Sequence, residues 1–129
     1  MARLQHVVIY VKDPVQAAPF YENLGLKKII DGADKFGPVI GFSDGYVNWT
    51  LLPAIDGRKE GIDHVGFLVD DAETTATALL DAGGSIVEPV ATLTPEELEA
   101  ADLPVGSAQV TISDLAGVNV ELGVHSWPH

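Results

Sequence analysis

Cysteine is absent from this chain of 129 residues. Its absence excludes a disulfide framework, a thiolate metal site and a thiol nucleophile; it does not fix the compartment. Cationic side chains are scarce and one-sided. Seven Lys and Arg stand against nineteen Asp and Glu, a formal charge of −12, and all seven lie between Arg3 and Lys59. Nucleic acid needs a basic face to neutralise its phosphates, and an anionic membrane needs the same, so neither is an expected partner. No apolar run approaches the ~20 residues of a membrane span, and no signal-peptide core precedes the first strand pattern, so a cytoplasmic protein is expected. The acidity reads as a solvated surface, or, more sharply, as attraction for a cationic ligand. The length suits one domain with a core that needs no crosslinks.

What is present is a repeat. The stretch Leu4–Asp13 returns as Ile62–Asp71 at an offset of 58: His6 matches His64, Val7 matches Val65, Val11 matches Val69 and Asp13 matches Asp71. The register continues through Ala18/Ala76 and Gly25/Gly83. Repetition of one supersecondary unit outranks any local pattern. The single domain 1–129 therefore divides into module one (1–53), a linker (54–61) and module two (62–129).

Each module reads as strand, helix and three strands. In module one, Leu4–Val11 is a strand; Asp13-Pro14 is an N-cap followed by proline at the first helical position. Ala17, Phe20, Tyr21 and Leu24 recur at helical spacing up to the stop at Gly25. Pro19 should kink this helix or delay its start. Leu26–Ile30 is a short strand, Asp31–Lys35 a polar loop, and Val39–Ser43 and Tyr46–Leu52 flank a two-residue hairpin signal, Asp44-Gly45. Tyr46 is expected to pack on its strand. Module two repeats the order with strand Ile62–Asp70, a helix over Asp71–Ala82 stopped by Gly83-Gly84, and a short strand Ser85–Val87. An insertion follows, Glu88–Pro104, with a helical turn starting at Thr94-Pro95-Glu96-Glu97. Strands Val105–Ser113 and Val118–Val124, joined at Asp114–Gly117, complete the module.

Alternate strand residues point to opposite faces. One face carries Val7, Ile9, Val11, Val65, Phe67, Val69, Val47, Trp49, Leu51, Val118, Val120 and Leu122, all apolar, and must lie under the helices. The other carries His6, Val8, Tyr10, His64, Gly66, Leu68, Asn48, Thr50, Leu52, Asn119, Glu121 and Gly123. That mixture of His, Asn, Thr and Glu with small and apolar residues, with no Lys or Arg among these positions, suits a cavity wall rather than a solvated surface. His6 and His64 occupy one slot of the repeat, and Glu121 takes the slot of Thr50. Two imidazoles and a carboxylate form a set that holds a divalent metal with coordination positions left open, as Lewis-acid catalysis requires. A histidine at a strand start is also a common surface or core residue, and spacing alone does not bring Glu121 to the imidazoles.

With His6…Asp13…Phe20-Tyr21…Leu24-Gly25-Leu26, His64…Asp70-Asp71 and the ending Asp114-Leu115-Ala116-Gly117-Val118-Asn119-Val120-Glu121-Leu122, the chain resembles the vicinal oxygen chelate superfamily over nearly its whole length. That superfamily includes glyoxalases, extradiol dioxygenases and fosfomycin and bleomycin resistance proteins. The ending departs from the family's D-P-D-G-N-x-x-E-L by Leu115 and Ala116. The resemblance implies an α+β fold, two βαβββ modules forming a curved incomplete barrel with helices on the outer face. It implies metal ligands at His6, His64 and Glu121, for Fe, Mn, Zn, Ni or Mg, and a homodimer.

Thr50 stands where glyoxalase I usually has a carboxylate and methylmalonyl-CoA epimerases a Gln, which disfavours both activities. Phosphonate, glutathione and CoA substrates need cationic clamps. Two functions are carried forward. One is a metal-dependent lyase, isomerase or dioxygenase that chelates a small substrate through vicinal oxygens, with Asn48, Thr50 and Asn119 as substrate contacts and Tyr10 or His125 as acid/base candidates. The other is a non-catalytic protein that sequesters a cationic small molecule. Trp127 packs on a partner or on its own domain.

Overall fold

The computed structural model describes residues 2–92, 95, 96, 99, 108–114 and 116–129. The elements are β1 (Arg3–Val11), α1 (Pro14–Asn23), β2 (Lys27–Asp34), β3 (Gly37–Ser43), β4 (Asn48–Pro53), β5 (Gly61–Leu68), α2 (Ala72–Asp81), β6 (Ser85–Thr92), β7 (Ala108–Ser113) and β8 (Asn119–Gly123). This is the α+β class, with βαβββ order stated twice. The chain divides into two compact units, His6–Asp63 with Pro128–His129, and Met1–Gln5 with His64–Trp127.

Both units are wired alike. In the first, β1 runs parallel to β4, which pairs antiparallel with β3, which pairs antiparallel with β2. In the second, β5 runs parallel to β8, then β7 and β6 follow antiparallel. The registers repeat residue for residue: Val8 faces Thr50 as Gly66 faces Glu121. Among the described residues β2 pairs with β3 and β6 with β7, each along one side, so each unit is a mixed four-stranded arrangement.

The helix starts follow from chemistry already visible in the sequence. Asp13 accepts from the backbone N–H groups of Val15 (3.0 Å) and Gln16 (3.3 Å), and Asp71 from that of Thr74 (3.0 Å), satisfying donors that a first helical turn leaves open. Gly25 and Gly83, at φ 91° and 103°, take the left-handed position after each C-cap. Pro19 lies inside α1 without delaying it, since the helix begins at Pro14.

Under α1, Val7, Ile9, Ala18, Ile40, Phe42 and Leu51 are buried, with Tyr21 and Trp49 packed against them. Under α2, the set is Val69, Ala72, Ala76, Val110, Ile112 and Leu122. The apolar strand face is thus the helix-covered face, except at Val118, which precedes β8 and is 45% exposed.

Several local expectations are corrected. Asp31–Lys35 is not a loop: β2 runs on to Asp34, paired through Gly37. β2 is an edge strand, largely exposed, and its polar side chains face water without disturbing the backbone ladder. β6 likewise extends beyond Val87 to Thr92. The Asp44-Gly45 hairpin has four loop residues, since Ser43 pairs with Asn48. Tyr46 is 76% exposed and does not pack on a strand; Phe20 and Leu24 also face outward, leaving Pro14 and Ala18 as the buried residues of α1. Within the insertion, Pro95, Glu96 and Glu99 are helical; Thr94 and Glu97 of the expected turn, and Val105 at the expected start of the next strand, lie outside the described residues.

The hairpin loop carries a pH prediction. The Asp44 carboxylate accepts from the backbone N–H groups of Tyr46 and Val47, both at 2.8 Å, and these bonds, Val47's foremost, hold its pKa below the ordinary carboxylate range. A depressed carboxyl stabilises the fold above its unfolded pKa, and that contribution is lost as pH falls through the lower folded value. In acid unfolding followed by circular dichroism between about pH 6 and pH 2, Asp44→Ala is expected to flatten the fall in stability below about pH 4. Parallel curves for the variant and the wild type would contradict this.

Candidate metal centre

In the unit built on β5 and β8, His64 projects from β5 and Glu121 from β8 on the face opposite the α2-covered core. His64 Nε2 lies 3.4 Å from Glu121 Oε2, and the two side chains are 15% and 7% exposed. This is longer than the ~2.7–2.9 Å of a charge-assisted hydrogen bond. It matches the span of two donors on one ion: ligand bonds of ~2.1 Å at a tetrahedral angle place their atoms ~3.4 Å apart. The chemistry and the spacing of this pair therefore fit a divalent metal. Thr111 of β7 faces Glu121 across the β7–β8 ladder and is buried beside it. Asn119 is two residues before Glu121, on the same face and half-buried.

The unit built on β1 and β4 carries the equivalent face. His6 is fully buried at the slot of His64 and lies across from Asn48 in the β1–β4 register. Thr50 Oγ1 donates to Asn48 Oδ1, and Asn48 Nδ2 donates to the carbonyl of Pro128 at 2.9 Å. Both ends of the amide are engaged, which fixes its orientation. The C-terminal segment is held at a second point, where the Trp127 N–H donates to Gln5 Oε1 at 3.0 Å. These two bonds tie down the segment that follows His125. His125 itself is half-buried in the bend after β8.

Tyr10 stands on the face of His6, four residues along β1. The Arg58 guanidinium from the linker lies over its ring at 4.9 Å and over the Phe36 ring at 4.1 Å. Arg58 Nη1 is buried and donates to no partner among the described residues. A cation therefore reaches the Tyr10 end of a face whose strand positions contain none. Sequence alternation could not place it, because Arg58 lies outside any strand and its position is set by stacking on two rings. Gln5, 3% exposed, was also missed; a polar residue one place before His6 carries no signal of a bond reaching to residue 127.

No helix among the described residues is long and apolar enough to cross a membrane. The model of the Glyoxalase/Bleomycin resistance protein/Dioxygenase superfamily matches residues 3–122. Comparison with curated proteins gives no match. Among solved structures, a hypothetical protein from Bacillus halodurans C-125 is similar at 19% identity and TM-score 0.70, covering 95% of this chain and 93% of that one. Methylmalonyl-CoA epimerase from Mycobacterium tuberculosis is similar at 23% identity and TM-score 0.64, covering 93% and 85%. A variant of the Streptomyces coelicolor methylmalonyl-CoA epimerase in complex with 2-nitronate-propionyl-CoA is similar at 22% identity and TM-score 0.63, covering 94% and 92%. At these identities the likeness is one of fold, whereas the family match spans almost the entire chain: this protein belongs to the Glyoxalase/Bleomycin resistance protein/Dioxygenase superfamily.

Proposed function

We propose that the protein is a metal-dependent enzyme, a lyase, isomerase or dioxygenase, acting on a small substrate that binds through vicinal oxygens. His6, His64 and Glu121 each offer one donor atom and together hold the ion. The observation that carries this reading is the pair of half-buried His64 and buried Glu121 at a ligand-to-ligand spacing. Two facts support His6 as the third ligand: it occupies the repeat slot of His64, and it is fully buried. A divalent metal in this set supplies a Lewis acid that withdraws charge from substrate oxygens.

The remaining roles belong to side chains. Thr50 and Asn119 border the polar face and orient substrate, with Asn48 holding Thr50 in place. Tyr10 is the candidate for moving a proton, with the Arg58 guanidinium over its ring. His125 is the second candidate. Arg58 also offers a donor to an acidic oxygen of the substrate, so the acidic composition does not restrict the ligand to cations. The neighbouring epimerases act on methylmalonyl-CoA; here Thr50 has no carboxyl group with which to abstract a carbon-bound proton, which places proton transfer on other residues. Cytoplasmic location and a homodimer complete the proposal.

The alternative, a non-catalytic protein that sequesters a cationic small molecule, draws on the net charge of −12. Elemental analysis of protein purified without chelator decides between the two. About one divalent ion per chain, removable by chelator, is the expected outcome. Metal-free protein that takes up no added Zn, Mn, Fe, Ni or Mg, yet binds a cationic ligand tightly, would establish the alternative instead.

A further inference from the structure

A cavity of about 620 Å³ lies in the unit built on β5 and β8, on the helix-covered face. Phe67, Leu79, Ile112, Val120 and Leu122 form its walls, with Thr75 and Asp114 supplying polar atoms. Along β5 and β8, Phe67, Val120 and Leu122 alternate with His64, Gly66 and Glu121, so the cavity and the proposed metal ligands use opposite faces of the sheet.

The repeat explains why there is space. Tyr21, Phe42 and Trp49 fill the corresponding region under α1, with Tyr21 5.7 Å from Phe42 and 5.8 Å from Trp49 between ring centroids. Their equivalents are Leu79, Ile112 and Val120. Three aromatic rings in one unit are three aliphatic side chains in the other, under a helix of the same length over strands in the same register. The pocket is open to solvent on one side, and its volume falls in the range of small-molecule sites.

We propose that this cavity is a second binding site, for an uncharged, largely apolar small molecule with one polar group. The walls are aliphatic and aromatic. The Thr75 hydroxyl is a polar handle half-exposed on α2, and Asp114, whose carboxylate already accepts from Ala116 and Val118, repels an anionic head group. The site does not depend on the metal centre.

Titration with the neutral fluorophore N-phenylnaphthylamine tests it on the full-length protein. A saturable, blue-shifted fluorescence increase at one site per chain is expected, with the anionic anilinonaphthalene sulfonate binding more weakly. The double substitution Leu79→Tyr/Ile112→Phe, which installs two of the rings found under α1, is expected to weaken the neutral probe at least about tenfold. Ala82→Trp, at an exposed position on the cavity wall, is expected to do so without touching the interior, and it decides the matter should the double variant fail to fold. Metal content stays unchanged in both. The proposal is overturned by any of three results: no saturable binding, equal binding by wild type and Ala82→Trp, or binding that appears only when residues 93–107 are replaced by a Gly/Ser linker, which would make the chain's own insertion the occupant.

Discussion

His64→Ala, purified without chelator, is expected to contain no stoichiometric metal and to bind added divalent ion at least about 100-fold more weakly than wild type. Loss of an outer partner of a metal ligand already costs about 10- to 100-fold, and a ligand itself contributes more. Turnover of any substrate chelated by the ion falls by a similar or larger factor, because substrate oxygens then have no Lewis acid to meet. The substitution also removes the neighbour of a carboxylate that is 7% exposed, and taking one member from a buried charged pair is destabilising in its own right. Circular dichroism must therefore show the variant folded before its metal content is read. Glu121→Gln is the companion measurement: it keeps the shape and one acceptor oxygen while deleting the charge, and should lose metal with less structural cost. Full metal occupancy in folded His64→Ala would remove His64 from the coordination set and with it the assignment of this face as the active site.

The repeat made the fold readable. Because His6 and His64 occupy one register, a strand, its partner strand and the helix between them could be placed twice, and the β1–β4 and β5–β8 pairings follow that register without a slip. Asp13, Asp71, Gly25 and Gly83 marked the helix ends because capping is local chemistry. Polarity misled where it was used to delimit strands. Asp31 and Asp34 suggested a loop, but an edge strand gives its side chains to water, and only the backbone ladder with β3 shows that they are paired. Helical spacing placed α1, yet Phe20 and Leu24 face outward: β1, β3 and β4 meet α1 through Ala17, Ala18 and Tyr21, so the apolar stripe is wider than the buried one. At the candidate site, alternation put His64 and Glu121 on one face, while their 3.4 Å separation depends on a parallel β5–β8 pairing that spacing along the chain does not encode. Arg58 was out of reach altogether, since a linker residue stacked on Tyr10 and Phe36 obeys no strand or helix period.

Phe42→Ala should be the most destabilising single truncation in the unit built on β1 and β4. Phe42 is fully buried and stacks at a tilt against Tyr21, which itself packs on Trp49. Removing the ring deletes its transfer free energy and leaves Tyr21 facing a void, and such truncations cost about 3–5 kcal/mol. Against a total stability of about 5–15 kcal/mol for a typical domain, that is a large fraction, and the melting temperature should fall on the order of 10–20 °C. The matched control is Ile112→Ala at the equivalent position of the other unit. Ile112 is equally buried, but it borders the 620 Å³ cavity rather than an aromatic cluster. Fewer atoms lie across from it to lose contact, and its truncation is expected toward the low end of the ~2–5 kcal/mol range for aliphatic residues. Thermal and urea unfolding of the two variants side by side make the comparison. Equal losses would mean that the three rings under α1 pack no more tightly than the aliphatic set under α2, and that the cavity is not a difference in packing between the two copies of the repeat.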